Sequence, residues 1–165
     1  MKVLIKGAGD LASGIACRLI RSGFQVVLTE IPVPTTVRRT VSFSRAVYEG
    51  TAMVEDIEGI LCCSLEEADR VASEKKAAVL VDEDCSLGLR LNPDVVVDAI
   101  LAKKNLGTCI TDASVVIGVG RDLAGKDCHV VVETKRGYDL GRCIWQEAQY
   151  PIRECRGNRR LRKNG

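Results

Sequence analysis

The first thirty residues of the chain constrain it most. A short apolar run at residues 3–6 leads into Gly7-Ala8-Gly9-Asp10-Leu11-Ala12, and a second β-branched run follows at residues 25–29. Between them, residues 10–21 place Leu11, Ile15 and Leu19, and also Ala12, Ala16 and Ile20, at three- and four-residue spacing, the period of an amphipathic helix. Gly23 stands where a helix terminator belongs. The reading is strand, glycine turn, helix, strand, which implies a parallel pair of strands joined by a crossover.

The glycine turn has the pattern G-x-G-x-x-A in the context that gives the pattern meaning. Gly7 permits a sharp strand-to-helix turn, Gly9 lets a diphosphate approach the backbone, and Ala12 lets the helix lie close to the strand. The helix start then offers unpaired N–H groups and the positive end of its dipole. Glu30 closes the second strand, 21 residues after Gly9. A carboxylate there accepts hydrogen bonds from ribose hydroxyls and repels a 2′-phosphate, so NAD is expected over NADP. Gly7, Ala8, Gly9, Asp10, Leu11, Ala12 and Glu30 are therefore the expected cofactor-binding residues. The competing reading is a similar fold whose site serves another anion or none, and Asp10, a carboxylate beside the phosphate position, gives it weight.

Further along, apolar runs at 59–63, 77–81, 94–97, 114–119 and 128–133 read as strands, with one more at 142–145. Residues 64–76 read as a helix, with Ser64 as its cap, Glu66 and Glu67 in the first turn and Lys75 and Lys76 in the last. Residues 31–39 carry Pro32 and Pro34 and read as a loop; 42–48 is ambiguous with some strand character. Residues 87–92 read as a turn, and a short helix is expected from Asp98 to residue 104. Runs without polar alternation suit strands covered on both faces. The expected fold is α/β: a Rossmann-like, doubly wound, mostly parallel sheet with an antiparallel far edge. A dimer through an exposed sheet edge is a natural expectation.

Several other residues are candidates for a ligand site. Asp82 and Asp98 end expected parallel strands, though such acids are often helix caps. Gly118 and Gly120 follow a strand and suit a second phosphate approach or a simple turn. Arg39, with Arg38 and Arg45, lies beyond Glu30 and suits an anion or a solvated face. His129 opens an apolar strand and reads as structural before catalytic. No nucleophile–base set assembles from the sequence, and no catalytic residue is assigned.

Composition bounds the partners. The 165 residues carry 24 Lys and Arg against 22 Asp and Glu. Residues 151–165 hold six basic residues and one acid, leaving the rest at a net of −3. A nucleic-acid face on the body is not expected. The chain divides into a nucleotide-binding body, residues 1–148, and a basic, disordered tail, residues 149–165. Eight cysteines are scattered without any CxxC, and Cys62 and Cys128 fall in apolar runs, so packing is expected before metal binding, and the sole histidine excludes a multi-histidine site. No apolar run reaches the ~18 residues of a membrane span and no secretory signal opens the chain, so a cytoplasmic protein is expected.

The strings IKGAGDLASGIA at 5–16, TEIP at 29–32, RRTVSF at 38–43, DVVVDAILAKKN at 94–105 and the stretch from His129 to Arg142 carry a resemblance. They resemble the selenium-dependent molybdenum hydroxylase system proteins, the YqeB-like family, over residues 1–148. That family is similar in its Rossmann part to XdhC-type accessory proteins. The resemblance implies an accessory role in maturing a molybdenum hydroxylase client, with NAD or another dinucleotide, such as the molybdopterin dinucleotide, as ligand. An NAD-dependent oxidoreductase acting on a small metabolite, and an interaction module with a vestigial site, are the alternatives. The chain departs from the family pattern in its glycine loop, Gly118-Val119-Gly120-Arg121, and at Tyr138, where a histidine is usual. The family also implies a longer chain, so residues 151–165 read as a truncated or frame-altered end.

Overall fold

A computed structural model describes residues 1–102, 104–120 and 124–145. The basic tail, the domain boundary at 148 and Arg121 lie outside the described residues.

Among the described residues, one sheet of nine strands organises the fold. Its strands are β1 (Lys2–Lys6), β2 (Gln25–Glu30), β3 (Thr51–Val54), β4 (Ile57–Cys62), β5 (Ala77–Val81), β6 (Val95–Asp98), β7 (Val115–Val119), β8 (Val130–Val132) and β9 (Cys143–Ile144). They lie in the order β3-β4-β5-β2-β1-β6-β7-β8-β9. All neighbours are parallel except the two outermost pairs, β3–β4 and β8–β9. The expected α/β, Rossmann-like sheet is what the chain forms, with an antiparallel pair at each edge rather than only at the far one.

The helices are α1 (Asp10–Arg21), α2 (Ala46–Glu49), α3 (Leu65–Ser73) and α4 (Ser86–Leu89), with short 3₁₀ turns at Arg39–Val41 and Phe43–Arg45. Strand alternation splits the core into two layers. Val3, Ile5, Val26, Leu28, Val79 and Val97 face α1, Phe43 and Ala46; Leu4, Val27, Ala78, Leu80 and Val96 face the side of α3, with Ala68, Val71 and Ala72. Ala12 and Ala16 are fully buried, and small side chains there keep α1 close to the sheet. Gly23, at φ +88°, ends α1 as expected.

Four local expectations are corrected. Residues 42–48 turn helically instead of extending, because Phe43 drops into the core and Ser13 Oγ accepts its N–H at 2.8 Å. Among the described residues no helix follows Asp98: Ile100 N donates to the Asp98 carboxylate at 3.1 Å and Leu101 takes φ +60°, which breaks helical continuation. Of residues 87–92, read as a turn, the first three belong to one helical turn, Ser86–Leu89, braced by Gly88 N on Asp82 Oδ2 at 2.8 Å. The α3 helix also ends at Ser73, short of Lys75 at φ +61°. Cys17, Cys62 and Cys85 are buried free thiols, and Cys128 is buried with them. No helix among the described residues is long and apolar enough to cross a membrane.

Candidate functional site

The order of the strands creates the site. From β1 the chain moves to β2 on one side, and only later, through β6, to the other side. The crevice beyond the carboxyl ends of β1 and β6 is therefore the topological switch point, where open α/β sheets hold their ligands.

Gly7 leaves β1 at φ +93° with its N–H on Thr29 O at 2.9 Å. A Cβ on Gly7 would stand 3.3 Å from Ala99 O, so the bend and the segment after β6 touch. Gly9 is the N-cap of α1, extended at φ −67°, ψ −175°, and no side chain caps it. The first N–H groups of a 12-residue helix thus carry no side-chain acceptor. Asp10 occupies the first turn, and its carboxylate pairs with the Arg38 guanidinium. That pairing offsets the negative charge that Asp10 brings to a phosphate position. Leu11 faces outward at 43% exposure, while Ala8 and Ala12 are buried.

Glu30 turns toward the bend. Its Oε2 accepts from Ala8 N at 3.0 Å and its Oε1 from Ile31 N at 2.9 Å. A carboxylate offers about four acceptor positions, so each oxygen keeps one for a hydroxyl. Glu30 consequently ties the second strand to the glycine bend besides standing where a ribose acceptor belongs.

Residues 31–45 arch back over this bend. Ser44 N donates to Ala8 O at 2.8 Å, and Ser44 Oγ donates to Thr36 Oγ1 at 3.1 Å. Thr36 Oγ1 lies 3.5 Å from where a Cβ on Gly9 would stand. Ser13 Oγ, buried in α1, donates to Ala8 O at 3.2 Å and accepts from Phe43 N. Ser13, Thr36 and Ser44 escaped the sequence reading; a serine on the buried face of an otherwise apolar helix was the available signal. Arg39 is stacked on the Tyr48 ring at 5.3 Å, and Arg45 pairs with Glu49 at 3.4 Å.

The remaining candidates fall elsewhere. Asp82 braces α4, and its backbone N–H donates to Glu30 O at 2.9 Å. Gly118 sits within β7, opposite Asp98 and Val131. Gly120 has φ +102°, and a Cβ there would stand 3.0 Å from Thr134 Oγ1. His129 Nδ1 accepts from Val116 N at 3.0 Å, which fixes the ring as a structural acceptor between β7 and β8.

Asp98 belongs to a cluster that the sequence did not announce. Lys6, the last residue of β1, is 2% exposed, and its Nζ donates to Thr108 Oγ1 at 3.1 Å and to Asp112 Oδ2 at 3.0 Å. The Thr108 hydroxyl in turn donates to Asp98 Oδ2. Lys6, Thr29, Asp82 and Asp98 lie at or next to the C-terminal ends of adjacent strands on the face away from α1, with Cys85 Sγ 3.1 Å from Thr29 Oγ1. Burial holds the Cys85 thiol above its ordinary pKa, partly offset by its hydrogen bond to Thr29. Among the described residues, no group of three or more His, Cys, Asp or Glu side chains is placed to hold a metal ion.

Comparison with known proteins sets this geometry beside one relative. The chain is 48% identical over 144 residues to the uncharacterized protein YqeB of Escherichia coli (strain K12). The match covers 87% of this chain and 27% of that protein, so the chain spans about a quarter of the relative's length. No family model matches the sequence, and no solved structure matches it.

Proposed function

We propose that this domain binds a nucleotide or dinucleotide at Gly7–Ala12, with NAD as the first ligand to consider. The dinucleotide form of molybdopterin presents the same diphosphate chemistry. The observation that carries the reading is the uncapped start of α1 behind two glycines, with the Glu30 carboxylate hydrogen-bonded to the bend itself. In this reading the N–H groups at the start of α1 receive the diphosphate. Arg38, 73% exposed and already beside the bend, adds a guanidinium to it. Glu30 accepts the ribose hydroxyls with its remaining lone pairs and disfavours a 2′-phosphate.

The biological role follows from the resemblance described above: assistance in maturing a molybdenum hydroxylase, by presenting or handling its dinucleotide-linked cofactor. A bound dinucleotide would supply the cofactor's own chemistry. The chain's part is to orient the phosphates at α1 and the ribose at Glu30.

Isothermal titration with NAD, NADP, FAD, ATP and cytidine nucleotides tests the binding. Saturable binding of one or more of them, with NADP weaker than NAD and all of it weakened by about tenfold or more in Gly9→Val, is expected. A flat titration for the whole panel overturns the reading. The maturation role is tested by retention of a molybdenum hydroxylase on the immobilised domain. Hydride transfer to NAD with a metabolite would instead make it an oxidoreductase.

A further inference from the structure

We propose that residues 105–112 are a lid seated in the crevice between the ends of β1 and β6, latched by the buried Lys6–Asp112 pair. The lid opens to admit the half of a dinucleotide that lies beyond the diphosphate. The ligand half of this inference rests on the nucleotide-binding reading; the latch does not.

The segment is a self-contained unit. Asn105 Oδ1 accepts from Thr108 N at 2.7 Å, and Asn105 Nδ2 donates to Thr108 O at 2.8 Å. Asp112 N donates to Cys109 O at 2.9 Å, and Asp112 Oδ2 accepts from Cys109 N at 3.1 Å. Two successive turns are thereby closed within eight residues. Among the described residues, the hydrogen bonds from this unit to the rest of the protein all end on Lys6 and Asp98. A hook whose polar ties to the body all converge on one cluster loosens as a unit once that cluster is broken.

The attachment sits at the switch point. Lys6 and Asp98 are the paired last residues of β1 and β6. The Lys6 and Asp112 side chains are 3% and 13% exposed, so the ion pair is desolvated and holds only while both partners are present. Outward, the unit carries Leu106 at 51% exposure and Gly107 at φ +91° with nothing near it. The chain leading to it passes through Leu101, a branched residue held at φ +60°. That chain begins at Ala99, whose carbonyl lies against Gly7. The lid's root and the phosphate bend are therefore in direct contact, so a ligand at one meets the other.

Hydrogen exchange on the full chain reads the latch. Asp112→Asn and Lys6→Met are expected to speed exchange of the amides of 105–112 by about tenfold or more while β1 and β2 stay protected. Thr108→Val keeps the ion pair, cuts the hydrogen bonds of the Thr108 hydroxyl to Lys6 and Asp98, and should give a smaller rise in the same amides. Unchanged exchange in 105–112, or loss of protection in β1 and β2 along with it, overturns the latch. Titration with NAD and with ADP reads the gating: Asp112→Asn should tighten NAD several-fold and leave ADP unchanged. Equal effects on both ligands overturn the gating role. If neither ligand binds any variant, the nucleotide reading falls and takes the gating with it, while exchange still decides the latch.

Discussion

At the scale of single residues, the two glycines of the bend do different work, and their substitutions separate fold from function. Gly7 holds φ +93° and its missing Cβ faces Ala99 O at 3.3 Å. Gly7→Ala places an L side chain in a left-handed conformation and should cost about 1–2 kcal/mol of stability. Urea unfolding followed by circular dichroism measures it. Gly9 is extended, and a Cβ there makes only ordinary contact with Thr36 Oγ1 at 3.5 Å. Gly9→Val should therefore cost less than about 1 kcal/mol in the same experiment. Its effect belongs to binding: the isopropyl group fills the approach to the start of α1, and affinity should fall by about tenfold or more, a loss of at least about 1.4 kcal/mol. A Gly9→Val protein that still binds NAD like the parent would move the site away from the bend. Gly59 presents a third case. A Cβ there would stand 2.4 Å from Phe43 Cδ1, inside the packed core, so Gly59→Ala should destabilise by about 1–3 kcal/mol through overpacking.

At the scale of elements, α3 shows how local chemistry sets a boundary. Ser64 Oγ accepts from Glu67 N at 3.1 Å, and Glu67 Oε2 accepts from Cys63 N at 2.8 Å. Ser64→Ala removes one half of this exchange and should cost about 1 kcal/mol, read as a shift in the urea midpoint at unchanged slope. This start was legible in the sequence because cap and partner are three residues apart. The same holds for β1, α1 and β2, where glycines, helical spacing and apolar runs all fall within thirty residues. Legibility faded where distant partners decide the conformation. The 42–48 segment has strand-forming residues, yet Phe43 needs the pocket over Gly59, and burying it forces a turn. Strand β3 alternates exposed and buried at a sheet edge, Thr51-Ala52-Met53-Val54, too short and weakly apolar to stand out. Of the site, the bend and Glu30 could be read from spacing. The Lys6 cluster could not, since Thr108 and Asp112 come to it across more than a hundred residues.

At the scale of the whole molecule, the sheet buries thiols in both of its layers, and their protonation links stability to alkaline pH. Cys17 lies in the layer that faces α1, and Cys62 and Cys128 lie in the other. Burial pushes the Cys62 thiol from 9.0 up to about 11, with the Glu67 carboxylate adding to the effect. Burial, then the charge of Glu55, also raises Cys17. A thiol exposed by unfolding titrates near its ordinary value. Between about pH 9 and pH 11 the unfolded chain therefore releases protons that the folded protein keeps. The unfolded state binds fewer protons in that window, so stability falls as pH rises through it and is fully retained below pH 9. Urea midpoints measured at pH 7.5, 9, 10 and 11 under reducing conditions should hold steady and then decline. Lysines and tyrosines also titrate in this range, so the decisive comparison is Cys62→Val, which keeps an apolar group of similar size in the same pocket. That variant should lose part of the decline and little of the neutral-pH stability. Identical alkaline slopes for the two proteins would mean that Cys62 ionises as freely in the fold as out of it, against its 4% exposure beneath α3.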